Sequence, residues 1–377
     1  MRVLHRNPED IAALLRPNIR ALKPYSSARD EFRPAGETAS PGVDNLIFLD
    51  ANENSLGGPL DGDFSRYPDP HQRALKQRIA RREGLEPEQV FVGNGSDEAI
   101  DLLIRAFCNP GTDNVVQLPP TYGMYAVQAG IQGVEIRSAP LRPDFSPDPE
   151  AVLAAMDAQS KILFLCSPNN PSGNCLPGDY IREMLFSFPG LVVVDEAYGD
   201  FSGQPSLTGW LPEFPNLVVL KTFSKAWGMA GLRVGMALSS AFIVRVLDQI
   251  KYPYNMNAVT VQLVETAIQR EAGVHEKVNR LLEERRRLAE ALALLPCVTQ
   301  VFPSAANFLL VRTVHADNIY QFLLQRGIVV RNRSRELHCH NCLRITVGTA
   351  AENDRLLEAL QVVGPAPASQ VPPIETP

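Results

Sequence analysis

The sequence predicts an α/β protein: a large domain with a mostly parallel, mixed sheet flanked by helices, and a smaller α+β domain. Three observations carry that expectation. Short apolar runs recur at residues 90–92, 115–118, 161–166, 191–194 and 217–220, with the length and continuity of strands buried on both faces. Helical stretches such as 149–158 lie between them, the alternation of βαβ units. Most of these runs end in a polar or glycine-rich cluster, and that edge of an open α/β sheet is where its ligand crevice lies.

With 377 residues the chain has room for about two domains. The expected division is an arm over 1–44 packing with the small domain, a large domain over 45–257, a small domain over 258–363 and a disordered tail over 364–377. The tail is proline-rich and lacks apolar periodicity. Net charge is −6 with the signs interleaved, and the basic run Arg285–Arg287 sits beside Glu283 and Glu284 as on a solvated helix face. Neither a nucleic acid nor a membrane surface is expected as a partner. Residues 1–20 lack the apolar core of a signal peptide, and no apolar stretch reaches the roughly 20 residues of a membrane helix. The six cysteines are scattered, which suits a reduced, cytoplasmic protein.

In chain order, a short amphipathic helix follows Asn7-Pro8, with Ile11, Leu14 and Leu15 on one face. Residues 43–49 read as an edge strand, and Tyr67-Pro68-Asp69-Pro70 as a rigid loop into a helix over 71–82. Strand 90–92 runs into Gly93-Asn94-Gly95-Ser96-Asp97-Glu98. A helix follows, with Ile100, Leu103, Ile104 and Phe107 at i, i+3, i+4 and i+7. Ser96 or Asn94 can cap it, and glycines feeding a helix N-terminus make an anion site. Residues 258–295 are strongly helical. Strands at 308–311, 329–331 and 343–347 then alternate with helices at 316–325 and up to 363.

The chemistry concentrates in residues 217–235, LVVLKTFSKAWGMAGLRVG. Lys225 lies just past a buried strand, where burial and neighbouring cations lower a lysine's pKa and leave a neutral amine able to attack an aldehyde. Thr222, Ser224 and Arg233 around it suit a phosphate. Lysine, hydroxyls and arginine together suggest a phosphorylated aldehyde, hence pyridoxal phosphate. Of the seven lysines, Lys221 is the rival, and it falls inside the strand rather than beyond it.

The strand-end clusters resemble those of the fold type I, pyridoxal-phosphate-dependent aminotransferases, and most closely the histidinol-phosphate aminotransferase family. The phrases are Lys23-Pro24-Tyr25, Asp50-Ala51-Asn52-Glu53, Arg66-Tyr67-Pro68, Gly95-Ser96-Asp97-Glu98, Pro168-Asn169-Asn170-Pro171, the Lys225 segment and Cys342-Leu343-Arg344-Ile345-Thr346-Val347-Gly348, in the family's order. The resemblance implies a fold type I aminotransferase-like architecture over residues 24–363. Catalysis falls to Lys225 as the amine, Asp195 against the pyridine nitrogen and Tyr198 on the phenolic oxygen. The cofactor is further held by Asn170, by Tyr122 stacked on the ring, and by Ser96, Asp97, Thr222, Ser224 and Arg233 at the phosphate. Tyr67 reaches the phosphate across a homodimer interface. Tyr25, Asn52, Tyr254, Asn255, Arg331 and Arg344 bind substrate, the arginines because a planar guanidinium chelates carboxylate and phosphate alike. The substrates are the small molecules glutamate and histidinol phosphate, in histidine biosynthesis.

Related scaffolds act instead as aromatic amino acid aminotransferases or threonine-phosphate decarboxylases. Regulators with an aminotransferase-like domain carry an additional basic DNA-binding domain, for which this chain has neither room nor charge. His338-Cys339-His340-Asn341-Cys342 departs from the family pattern. Its C-x-x-C spacing would permit zinc, but a second ligand pair is missing, and no metal is expected.

Overall fold

A computed structural model describes residues 7–23, 47–60, 62 and 64–364. Seven strands form the large sheet: β1 (Val90–Asn94), β2 (Asn114–Gln117), β3 (Glu135–Ser138), β4 (Ser160–Cys166), β5 (Leu191–Asp195), β6 (Leu217–Thr222) and β7 (Val234–Ser239), in the order β1-β7-β6-β5-β4-β2-β3. All neighbours are parallel except β7, which runs against both β1 and β6. The buried runs in β4, β5 and β6 are the continuous apolar stretches of the sequence, covered on both faces. Strands β3 and β7 were not legible: β3 is short and half-polar at the sheet edge, and β7 follows a glycine-rich turn.

Around the sheet lie α1 (Pro8–Ala13), α2 (Pro17–Arg20), α3 (Arg73–Glu83), α4 (Ser96–Phe107), α5 (Met124–Ile131), α6 (Pro149–Ala155), α7 (Gly178–Ser187), α8 (Ala241–Ile250) and α9 (Ala258–Ile268). The N-terminal arm differs from expectation. Ile11, Leu15 and Ile19 join the core that holds Ile104 and Phe107 of α4, and the Arg16 N–H donates to the Ala106 carbonyl at 3.0 Å. The described part of the arm therefore packs on the large domain, because α4 offers its apolar stripe a groove there. Residues 47–49 are irregular rather than strand; the rest of that expected edge strand lies outside the described residues.

The second unit has a four-stranded antiparallel sheet, in the order β10-β11-β9-β8: β8 (Val298–Val301), β9 (Phe308–Thr313), β10 (Arg331–Asn332) and β11 (Cys342–Thr346). Helices α10 (Glu271–Ala293), α11 (Ala316–Gln325) and α12 (Ala350–Gln361) complete it, around a core from Leu288 to Leu360. Val261, Val264 and Ile268 of α9 pack instead with Leu75 and Ile79 of α3. The first helix after residue 257 is thus large-domain in its packing.

Candidate active site

A cavity of about 110 Å³ opens at the C-terminal ends of β5 and β6, lined among others by Ser96, Asp97, Tyr122, Asn170, Asp195, Tyr198, Thr222, Ser224, Lys225 and Arg233. Ten of the residues expected to catalyse or hold a cofactor therefore share one crevice. One end is built by a close approach of backbones. A Cβ on Gly235 would sit 2.1 Å from the Ser96 nitrogen, so only glycine lets β7 pass the start of α4. Neither Ser96 nor Asn94 caps that helix. Its N-cap is Gly95, at φ +78°, with no side chain to accept from the first amides. Among the described residues nothing accepts the Ser96 and Asp97 N–H groups, which stand at the positive end of a twelve-residue helix dipole.

Beside that end, Thr222 Oγ1 donates to Ser224 Oγ at 3.0 Å and accepts the Ser224 N–H at 3.1 Å. Arg233 is held in the left-handed region (φ +55°), and its Nη2 lies 3.4 Å from Asp97 Oδ2. Tyr122 donates its hydroxyl to Asp97 Oδ1 at 3.0 Å. Two hydroxyls, a guanidinium and open helix amides make a phosphate cradle.

Asp195, the last residue of β5, stands in the cavity wall and is buried. One carboxylate oxygen accepts the Tyr125 hydroxyl at 2.8 Å, the other the Ala197 N–H at 3.0 Å. Burial still raises its pKa, those two bonds and Lys225 pulling it back. Lys225 has its Nζ 5.5 Å from the centre of the Tyr198 ring. Its side chain is exposed and opens into the cavity. Desolvation lowers its pKa, and Arg344 and Arg233 lower it further against the pull of Asp195 and Asp97. Burial raises the Tyr198 phenol, with Arg344 and Arg333 opposing. Lys221 is elsewhere: its Nζ pairs with Glu83 Oε2 at 2.8 Å. An amine poised toward its neutral form, a buried carboxylate and a phosphate cradle fit a phosphorylated heteroaromatic aldehyde.

The residues expected at the substrate divide. Arg344 of β11 reaches the crevice, donating Nη1 to Asn170 Oδ1, and stacks over Phe308 at 5.3 Å. Arg331 pairs with it across β10–β11 and is exposed. Asn52, Tyr67 and Tyr254 line a different cavity, of about 580 Å³, where the two tyrosine rings stack 4.5 Å apart. Asn255 corrects its expectation. Its Nδ2 donates to the Val92 carbonyl and to Glu98 Oε1, both at 3.1 Å, and its Oδ1 accepts from Gln72. With each of its polar atoms bonded within the scaffold, it braces the start of α4 rather than facing a ligand. Tyr25 lies outside the described residues.

Comparison with known proteins follows the same lines. The model of aminotransferase classes I and II matches residues 55–360. The chain belongs to this aminotransferase family. A histidinol-phosphate aminotransferase of Parabacteroides distasonis is 51% identical over 94% of this chain and 99% of its own length. One from Cytophaga hutchinsonii is 48% identical over 93% and 98%. The crystal structure of a histidinol-phosphate aminotransferase from Sinorhizobium meliloti in complex with pyridoxal-5′-phosphate superposes with a TM-score of 0.72 at 28% identity, covering 82% of this chain and 89% of that one.

Within the aminotransferase site, sequence reasoning missed Tyr125. Tyr125 is fully buried and stacks on Phe164 at 4.6 Å while its hydroxyl holds Asp195. Its ring meets that of Tyr122 edge to face at 5.5 Å, but Tyr122 lies before the start of α5, so no helical spacing in the sequence announced the contact. The His338–Cys342 motif serves packing. Cys339 and Cys342 are fully buried in the core that also holds Leu141 and Phe145, and His338 Nε2 lies 3.1 Å from the Leu141 carbonyl. Among the described residues, no three His, Cys, Asp or Glu side chains are grouped to hold a metal.

Proposed function

We propose that this aminotransferase uses pyridoxal 5′-phosphate to move an amino group between glutamate/2-oxoglutarate and histidinol phosphate/imidazole-acetol phosphate, in the cytoplasm, as a homodimer. The observation that carries it is Lys225 and Asp195 lining one crevice that ends at the uncapped start of α4. Identity near 50% with enzymes named for histidinol phosphate supports the substrate.

When bound, the cofactor supplies a ring that withdraws the electron pair released as the substrate's Cα–H bond breaks. Lys225 Nζ, held toward its neutral form by burial and two arginines, takes and returns the Cα proton. Asp195, oriented by Tyr125 and the Ala197 N–H, holds a proton on the ring nitrogen. Tyr198 and Asn170 hydrogen-bond the phenolic oxygen, and Tyr122 covers a ring face. The Ser96 and Asp97 amides, Thr222, Ser224 and Arg233 bind the phosphate, with Tyr67 reaching it from the other protomer. Within its own chain Tyr67 is half exposed and stacked on Tyr254, which suits a side chain presented to a neighbour. Arg344, with Arg331 behind it and Tyr25, Asn52 and Tyr254 around, takes the substrate's carboxylate or phosphate. Residues up to 257 hold the cofactor, and the smaller unit supplies the arginines.

Steady-state assays test this. With 2-oxoglutarate as acceptor, histidinol phosphate is expected to give a higher kcat/KM than phenylalanine, and phosphothreonine to release no carbon dioxide. Absence of histidinol phosphate turnover overturns the reading.

A further inference from the structure

The geometry points to Arg333 as a third anion-binding side chain of the substrate end, one that reads the second negative charge of a phosphate monoester. The inference rests on the phosphate-bearing substrate proposed above and deepens it.

Register places the residue. Arg331 pairs with Arg344 and Asn332 with Leu343. One step on, the Arg333 N–H donates to the Cys342 carbonyl at 2.9 Å, so the pairing continues past the end of β10. The two-residue period then puts Arg331, Arg333 and Arg344 on one face of the small sheet. That face looks at the large domain: Leu310, opposite Arg344, and Cys342 belong to the core shared with it, and Arg344 itself reaches Asn170.

The guanidinium of Arg333 is held from one side. Nη1 donates to Glu336 Oε1 at 2.6 Å. Its Nε is buried and has no hydrogen-bond partner among the described residues. The other oxygen of that carboxylate, Glu336 Oε2, is likewise buried with no partner among the described residues. A single side-chain bond thus joins the pair and leaves the guanidinium free to turn toward an arriving anion, which would relieve the cost of the buried N–H. The charge is also felt in the crevice. After burial, Arg333 is the strongest influence lowering the Arg344 pKa, ahead of Arg331, and it acts on Tyr198 as well. A carboxylate carries one charge, whereas a phosphate monoester carries about −1.5 to −2 at pH 7. A third guanidinium in line with two others serves the second of those charges.

The test uses the holoenzyme and the variant Arg333→Ala, with Arg333→Gln as a second variant that preserves bulk should the alanine form fold poorly. The kcat/KM for histidinol phosphate is expected to fall by about ten-fold or more, mainly through KM, while that for glutamate changes by less than about three-fold. Arg333→Lys should recover part of the loss. Equal losses for both substrates, or none, overturn the inference. Wild-type enzyme that ignores histidinol phosphate overturns the underlying reading and this inference with it. Wild-type turnover alongside an unselective variant overturns the inference alone.

Discussion

The two ends of the crevice are built differently. At the cofactor end the side chains come from strand ends of one sheet, and several are held by hydrogen bonds to one another or to the scaffold: Asp195 with Tyr125, Asp97 with Tyr122 and Arg233, Thr222 with Ser224. At the substrate end, Arg331 is exposed, Arg333 carries a buried Nε with no partner among the described residues, and Asn52, Tyr67 and Tyr254 stand in another cavity. The first end is organised before any ligand arrives; the second is completed by what binds there. Preorganised dipoles act on the transition state of every substrate, so changes at the cofactor end should be indifferent to substrate and those at the arginines selective.

The largest expected effect contrasts two lysines four residues apart. Lys225→Ala should lower kcat by at least about 10²–10⁴ for both substrates and abolish the cofactor's bound absorbance, with little change in Tm. Lys221→Ala should keep the absorbance but break a largely buried pair with Glu83, lowering stability in a denaturant titration by less than the about 3–5 kcal/mol of an uncompensated buried charge, because Arg82 still pairs with Glu83. Loss of absorbance in Lys221→Ala would erase the distinction.

Asp195→Asn comes next, with kcat falling by about 10²–10³. Its stability effect has the opposite sign. Burial raises the Asp195 pKa above its unfolded value. The group therefore favours the fold when protonated, and that advantage is lost as pH rises through the folded value. At pH 7 the cofactor-free Asn variant should melt above wild type, with the gap narrowing toward acid pH. A variant that melts lower at pH 7 would contradict the burial argument.

Tyr125→Phe is the mildest. It removes a hydrogen bond to a buried carboxylate, worth about 1.5–3 kcal/mol, and should cut kcat for glutamate and histidinol phosphate by the same factor while shifting the pH dependence of the bound cofactor's spectrum. Unequal factors would mean that the cofactor end also discriminates between substrates.

The same division governs what the sequence disclosed. The cofactor end was legible because its residues sit at the ends of apolar runs: local pattern singled out Lys225, and the family resemblance supplied the roles of Asp195 and Tyr198 at the neighbouring strand end. The missing strand β7 did not matter there, since Gly235 acts through closeness to Ser96 rather than through any side chain. The substrate end depends on contacts between distant segments. Asn255 is spent on Val92 and Glu98, more than 150 positions away, and Arg333 enters the site only through the register of β10 on β11. The described part of the arm follows the same rule: an apolar stripe at Ile11, Leu14 and Leu15 announces burial, not which groove receives it.

One measurement bears most directly on the whole account. Borohydride reduction of the purified holoenzyme should fix the cofactor to its amine, and peptide mapping should then find the label on Lys225. A label on Lys221, on any other lysine, or on none would contradict the assignment on which the remaining roles depend.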